Sequence, residues 1–308
     1  MLPPDVLVLA GGGVVGESWM HGVLAGLEDA LGWDARAVES FVGTSAGSIV
    51  AARLAAGRRP PRPGAIGSQR PPEGASDLPP APADDGRRGL VRSVAGAARG
   101  TTAPLVGAAL AAGAPVGAFA RAAVLSRAPD RGRSLLPLRD RAAGWGARFD
   151  GRLRVCAVDR RSGRRVVFGA PGAPAADVAD AVAASCAIPW VFAPVRIGDR
   201  EYVDGGAWSI TNLDAAPAGR GTHVLCLDPV AGVGGDDRRM TALRGAFRVA
   251  AGLEQQGLRR RGALVRHLAP DAAAAAAMGP DLMAPARASA ALAAGYRQGL
   301  AVAGAAST

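Results

Sequence analysis

The chain has 308 residues, 49% of them hydrophobic and 20% charged, which is enough apolar material for a sizeable core in one large domain or two small ones. All 36 basic residues are arginine, and the net charge of +10 favours anionic partners such as phospholipid headgroups, nucleic acid or acidic proteins. That charge is dispersed, with no aromatic-interleaved basic stretch of the RNA-binding kind, and Cys156, Cys186 and Cys226 form neither a C-x-x-C nor an even disulfide framework.

Those three cysteines sit far apart in apolar contexts and read as buried free thiols in a reducing compartment. His21, His223 and His267 form no H-x-x-x-H pair, so no metal-ligand spacing is present. The first residues carry no basic leader, and Val6–Ala10 is too short for a signal core. Val6–Ala10 is therefore predicted to be the first buried strand. Gly11-Gly12-Gly13-Val14-Val15-Gly16 follows as a glycine loop. Glu17–Leu31 then shows Trp19, Val23, Leu24, Leu27 and Leu31 at helical spacing, with Gly32 as its stop.

Phe41 and Val42 end a second short apolar run. Gly43-Thr44-Ser45-Ala46-Gly47 comes next and matches G-x-S-x-G, the pattern of a nucleophile elbow. A serine hydroxyl attacks a carbonyl only when a base and an oxyanion site are held beside it, and a sharp strand-to-helix turn exposes it for that purpose. The bland alternative is a Gly/Ser turn with Ser45 as a helix N-cap. Residues 46–56 read as a helix closed by Gly57. Strand, loop, helix, strand, elbow, helix implies a parallel sheet with right-handed crossovers.

From Arg58 to Gly89 proline and arginine crowd together without apolar periodicity, and a disordered insertion is expected there. Residues 90–123 are Ala/Gly-rich and predicted helical, and Leu135–Trp145 forms a short helical segment. The uncharged run Thr101–Ala120 is broken by glycine and proline, so helices outside a membrane are favoured over a span. Leu153–Val158 and Arg165–Phe168 read as a hairpin, Ala175–Cys186 as a helix, and Trp190–Ile197 as extended chain. Glu201–Val203 leads into Asp204-Gly205-Gly206. Val224–Leu227 and Leu264–Leu268 are further strands, and residues 237–261 and 287–302 further helices.

The glycine loop allows two readings. Gly11-x-Gly13-x-x-Gly16 formally matches a dinucleotide fingerprint, which also requires an acid at the end of the second strand. That strand ends in Thr44 and Ser45, and Glu39 lies before it. An oxyanion hole is the better reading, because glycine amides and the helix dipole would meet Ser45 at the same sheet edge. For the base, the order Ser45, Asp, His267 formally permits a hydrolase triad, but the elbow arrives too early in the chain for that fold. Asp204 is the better candidate, and its other reading is an ordinary Asp-Gly turn.

Taken together, Gly11-Gly12-Gly13-x-x-Gly16, Gly43-Thr44-Ser45-Ala46-Gly47-Ser48 and Asp204-Gly205-Gly206 resemble the patatin-like phospholipase family. Ala184-Ser185-Cys186-Ala187-Ile188-Pro189 is similar to that family's approach to its catalytic aspartate. The resemblance covers Val6 to about Leu227, and the tail Gly279–Gly299 is similar to some bacterial members. It implies a three-layer α/β/α domain with a central, mostly parallel sheet, built from residues 1–57 and 90–308 around the 58–89 insertion. It further implies a lipid acyl hydrolase of phospholipase A or lysophospholipase type. Ser45 would be the nucleophile, Asp204 the base, and Gly11, Gly12 and Gly13 the oxyanion donors. Gly16, Gly43, Gly47, Gly205 and Gly206 would shape the turns, and no metal or other cofactor is expected. The chain departs from the family at Val15, where Arg or Lys is common, and at Val158-Asp159, where Thr-Asp is usual. The expected substrate is a lipid acyl ester. The expected location is cytoplasmic, with peripheral contact to an anionic membrane and no nucleic-acid partner. A dinucleotide-binding protein and a catalytically silent, membrane-binding paralogue are the alternatives.

Overall fold

Strand β1 (Val6–Leu9) reads Val-Leu-Val-Leu, and all four side chains are buried. A strand covered on both faces needs no polar alternation, and this is the pattern of a central parallel strand. In the computed structural model, which describes residues 2–64, 115–130, 132–232 and 238–305, β1 lies between β2 (Ser40–Thr44) and a later strand, pairing parallel to both. The other strands are β3 (Leu153–Asp159), β4 (Arg165–Phe168), β5 (Val195–Ile197), β6 (Arg200–Asp204), β7 (His223–Leu227) and β8 (Leu264–Leu268). The sheet order is β5-β6-β3-β2-β1-β7-β8, with β4 also paired to β3. β8, β7, β1, β2 and β3 run parallel, while β4, β5 and β6 join antiparallel.

Among the described residues the helices are α1 (Gly13–Leu31), α2 (Ala46–Ala55), α3 (Pro115–Leu125), α4 (Leu136–Ala143), α5 (Val178–Ser185), α6 (Arg238–Arg260), α7 (Ala272–Met278) and α8 (Ala288–Gly304). Strand side chains alternate between two layers. Leu7, Leu9, Phe41, Val155 and Leu225 face a core made with α1, α2, α5 and α8. Val8, Val42, Cys156, Val224 and Cys226 face a second core that includes Leu258 of α6. The fold is thus a three-layer α/β/α sandwich around a mostly parallel sheet, as the alternation of elements predicts.

Register places β6 in a special position. β2 covers Leu153–Cys156 of β3, ending with Thr44 opposite Cys156. β4 covers Val155–Val158 and must therefore occupy the other edge of β3. β6 covers Ala157–Asp159, overlapping β4, so it shares the β2 edge. Because β2 runs parallel and β6 antiparallel to β3, their carboxyl ends approach head-on.

Helix α1 starts at Gly13, four residues before its expected start at Glu17, so Gly13 and Gly16 are helical. Gly12 is the N-cap, and the Val15 N–H donates to the Leu282 carbonyl, a distant segment that the helical period could not reveal. Gly32 ends α1 with φ 67°, its N–H donating to Glu28 O. α1 and α8 cross so closely that a Cβ on Gly26 would lie 2.3 Å from Tyr296 O, and one on Gly299 2.4 Å from Val23 O.

Other expectations need correction. Residues 190–197 form strand only from Val195, because Trp190 turns the chain at φ 67° and Phe192 makes an isolated bridge to Arg133. α7, an alanine run capped by Asp271, adds a helix that the apolar spacing does not predict. The insertion expected from Arg58 begins with ordered chain: Arg62 pairs with Glu28 at 2.9 Å and Asp29 at 2.6 Å, so its guanidinium fastens residues 58–64 to α1. Residues 65–89, and the helix expected from 90 to 114, lie outside the described residues; Pro115 onward is α3. The three thiols are free and buried. No helix among the described residues is long and apolar enough to cross a membrane.

Candidate active site

Ser45 sits between the end of β2 and the start of α2 with φ 52° and ψ −124°. A non-glycine residue in this region is strained, and the strain is characteristic of the elbow that lifts a nucleophile out of a sheet. The turn is tight on both sides. A Cβ on Gly43 would come 2.5 Å from Ser48 Cα, and one on Gly47 would come 1.9 Å from Leu9 O. Both positions therefore exclude a side chain, as the G-x-S-x-G reading requires.

Asp204 is the last residue of β6, opposite Ala157, and is 5% exposed. The head-on approach of β2 and β6 brings it to Ser45. Burial raises its pKa from the ordinary 3.8 to about 6, against the lowering effects of a hydrogen bond from the Ser45 side chain and one from the Gly206 N–H. That amide donates to Asp204 Oδ1 at 2.7 Å. Gly205 packs under the pair, where a Cβ would fall 2.3 Å from Cys156 O.

The glycine loop completes the group. Gly11 lies against Ser45, with its ideal Cβ position 3.6 Å from Ser45 Cβ. Its N–H, however, donates to the Ile210 carbonyl at 2.9 Å, so Gly11 is not an oxyanion donor in this arrangement. The sequence could not show this, because Ile210 arrives from a loop 199 residues away. Gly12 and Gly13 open α1, and Ala46 opens α2; amides of a first helical turn have no partner within their own helix. Two positive helix ends thus converge near the Ser45 hydroxyl. Pro229 packs on Gly12 and Gly16, either of which would clash with it if it carried a Cβ. Val15 is fully buried in the core, a place without room for a cation's hydration.

None of the three histidines joins Ser45. His21 is buried in α1 with neither ring nitrogen hydrogen-bonded. His223 opens β7 at the opposite end of the strands. His267 lies on β8, three strands from β2 and so about 14 Å away, with Nε2 3.2 Å from Asp228 Oδ2. A cavity of about 530 Å³, lined by Leu2, His223, Leu225 and Leu264, opens at that far end and has no part in the group.

Several residues beyond the sequence motifs hold the arrangement. Asn212, fully buried, donates through Nδ2 to Thr44 Oγ1 at 3.1 Å and to the Gly205 carbonyl at 3.3 Å, bridging the ends of β2 and β6. Glu254 of α6 accepts from Thr211 Oγ1 and Leu213 N, anchoring the segment behind it. Arg121 of α3, also fully buried, donates to the carbonyls of Ala207 and Gly163, and its guanidinium carbon lies 4.3 Å from the Trp208 ring centroid. The polar run Ser209, Thr211, Asn212 after Asp204-Gly205-Gly206 was the signal available for this support.

The family model of patatin-like phospholipases matches residues 7–217 of this chain. The chain belongs to the patatin-like phospholipase family. Its family match ends before β7, yet β7 pairs along the whole of β1, so the patatin-like sheet continues beyond the matched residues. Among solved structures, VipD from Legionella pneumophila matches with 16% identity and a TM-score of 0.44, covering 98% of this chain and 67% of that one. No curated protein matches the sequence. Patatin-like membership carries lipid acyl hydrolase activity and lipid substrates as its general function.

Proposed function

We propose that the chain is a serine acyl-ester hydrolase of phospholipase A or lysophospholipase type working through a Ser45–Asp204 dyad. Asp204, ionised, takes the Ser45 proton as Oγ bonds to the ester carbonyl carbon. The carbonyl oxygen becomes an oxyanion facing the Gly12 and Gly13 amides at the head of α1, with Ala46 N–H beside them. Collapse breaks the ester C–O bond, and Asp204 returns the proton to the leaving alcohol. Water then attacks the acyl-Ser45 ester with Asp204 again as base, releasing the fatty acid and restoring Ser45.

The observation that carries this reading is the meeting of two strand ends: buried Asp204 closes β6 opposite Ala157, and Thr44, just before the strained Ser45, lies opposite the adjacent Cys156. A carboxylate that merely closed an Asp-Gly turn would be solvated and would keep an ordinary pKa. The dinucleotide alternative is disfavoured because β2 ends in Thr44, followed by Ser45, with no acid there to hold a ribose.

Residues 1–57 and 90–308 form the catalytic domain in this reading, with the Pro/Arg-rich stretch inserted between them. The +10 charge favours peripheral contact with an anionic bilayer from the cytoplasmic side, and exposed Phe119, Val249 and Leu253 supply apolar contact. A fluorophosphonate should label Ser45 covalently, and Ser45→Ala and Asp204→Asn should each abolish turnover of a short-chain p-nitrophenyl ester. Labelling at another serine, or an active Ser45→Ala, overturns the reading. Salt-sensitive vesicle binding with no turnover of any acyl ester would favour the silent paralogue instead.

A further inference from the structure

Resting on the dyad reading above, we propose that Ser185 is a positioning residue for catalysis: its hydroxyl holds the Ser45 amide and so fixes the nucleophile in its strained, reactive conformation. Ser185 is the last residue of α5 and is fully buried. Its Oγ accepts from Ser45 N–H at 2.8 Å and donates to Cys156 O at 2.6 Å. An amide can only donate and a carbonyl can only accept, so both bonds have a fixed direction and the hydroxyl rotor is locked.

The location of those two partners gives the bond its meaning. Cys156 is the β3 residue opposite Thr44, and its carbonyl is the atom against which Gly205 packs. Two residues after Ser185, the Ala187 carbonyl accepts from Asp204 N–H at 2.9 Å. The three residues Ser185–Ala187 therefore bond the backbone of both reacting residues, 159 positions apart in sequence. Ser185 touches no substrate atom in this scheme; it acts only through Ser45. Without its hydroxyl, the buried Ser45 N–H loses its acceptor, and the strain of the positive φ at Ser45 is no longer held by a bond.

The test is kinetic and compares Ser185→Ala with Gly26→Ala, a substitution at the distant α1–α8 crossing that lowers stability without touching the site. Ser185→Ala should lower kcat for a p-nitrophenyl ester on the order of ~100-fold with KM within about 3-fold, as a misplaced nucleophile does. Fluorophosphonate labelling of Ser45 should slow by a similar factor. The acid limb of the pH profile should also move upward, because a displaced Ser45 no longer lowers the Asp204 pKa. Gly26→Ala should keep kcat at equal or greater loss of Tm. If Ser185→Ala does not fold, Ser185→Thr, which keeps the hydroxyl, should fold and label within about 10-fold of wild type.

Wild-type kcat and labelling in Ser185→Ala overturn the proposal, as does a loss no larger than that of Gly26→Ala, or a folded Ser185→Thr that cannot be labelled. Ser45→Ala measured alongside separates the two levels. Loss of labelling there with normal Ser185→Ala defeats only the positioning role, whereas retained activity in Ser45→Ala defeats the dyad.

Discussion

Thr44 and Asp204 end two strands that run toward each other along one edge of β3, opposite the adjacent residues Cys156 and Ala157. A purely parallel sheet places every strand's carboxyl end at the same rim, but side by side. Here an antiparallel strand continues the line of a parallel one, so the residue after Thr44 and the residue ending β6 meet end to end. In the proposed reaction, that arrangement lets the Asp204 carboxylate act on Ser45 without a histidine between them.

The Asp204 pKa of about 6 sets the pH dependence of the proposed reaction. The base must be ionised, so kcat/KM for a p-nitrophenyl ester should fall about tenfold per pH unit below about pH 6. Activity should return when samples are brought back to pH 7.5, which separates titration from unfolding. A limb near pH 4, the range of a solvated aspartate, would contradict the buried-base assignment.

The same burial implies a stability cost. Asp204 binds its proton more tightly folded than unfolded, so its contribution to stability is present below pH 3.8 and is lost as pH rises through about 6. The difference corresponds to on the order of ~3 kcal/mol at neutral pH. Asp204→Asn keeps an oxygen for the Gly206 N–H and carries no charge. It should abolish turnover yet raise the urea midpoint at pH 7.5, with the gain vanishing near pH 4. A destabilised Asp204→Asn at pH 7.5 would show that the charge is compensated by the fold.

Much of this site was legible in the chain because its parts are backbone demands. Gly43 and Gly47 flank Ser45 for reasons of space, and Gly205 follows Asp204 for the same reason, so each leaves a glycine in a fixed place. The first strand was legible because β1 is buried on both faces and reads as a continuous apolar run; β2 was marked by Phe41 and Val42 running into the glycine of the elbow. What the sequence hid depends on distant partners. The Gly11 amide is taken by Ile210, Val15 N by Leu282, and the Ser45 amide by Ser185. An isoleucine, a leucine and a serine carry no periodicity that marks such roles. The ordered start of the Arg58 segment depends on carboxylates at Glu28 and Asp29, which proline content alone does not report.

Gly205→Ala tests whether the floor of the dyad must be bare. The added Cβ would sit 2.3 Å from the Cys156 carbonyl and 3.2 Å from Thr44 Cγ2. A backbone oxygen in a paired strand cannot withdraw cheaply, so the β6 end must lift away from β2. Turnover should fall by on the order of ~100-fold, since displacements near 1 Å have that effect. The urea midpoint should drop by the equivalent of ~1–3 kcal/mol. Wild-type kcat in this variant would mean that the two strand ends are not held as tightly as the register shows.

His21 makes the fold sensitive to acid from the opposite direction. It is 1% exposed, neither ring nitrogen has a hydrogen-bond partner, and burial together with the nearby charge of Arg53 lowers its pKa from 6.5 to about 3. The unfolded chain therefore binds a proton below about pH 6.5 that the folded chain refuses until about pH 3. Stability from this residue should decline across that window, by a total of ~5 kcal/mol. Asp204 titrates with the opposite sign over an overlapping range, so the comparison belongs in the Asp204→Asn background. There, His21→Leu should flatten the fall of the urea midpoint between pH 6.5 and 4. It should cost little at pH 7.5, because no hydrogen bond is lost and two unsatisfied nitrogens are removed. An unchanged slope in His21→Leu would assign the acid sensitivity to other groups and show that the imidazole reaches solvent or a partner.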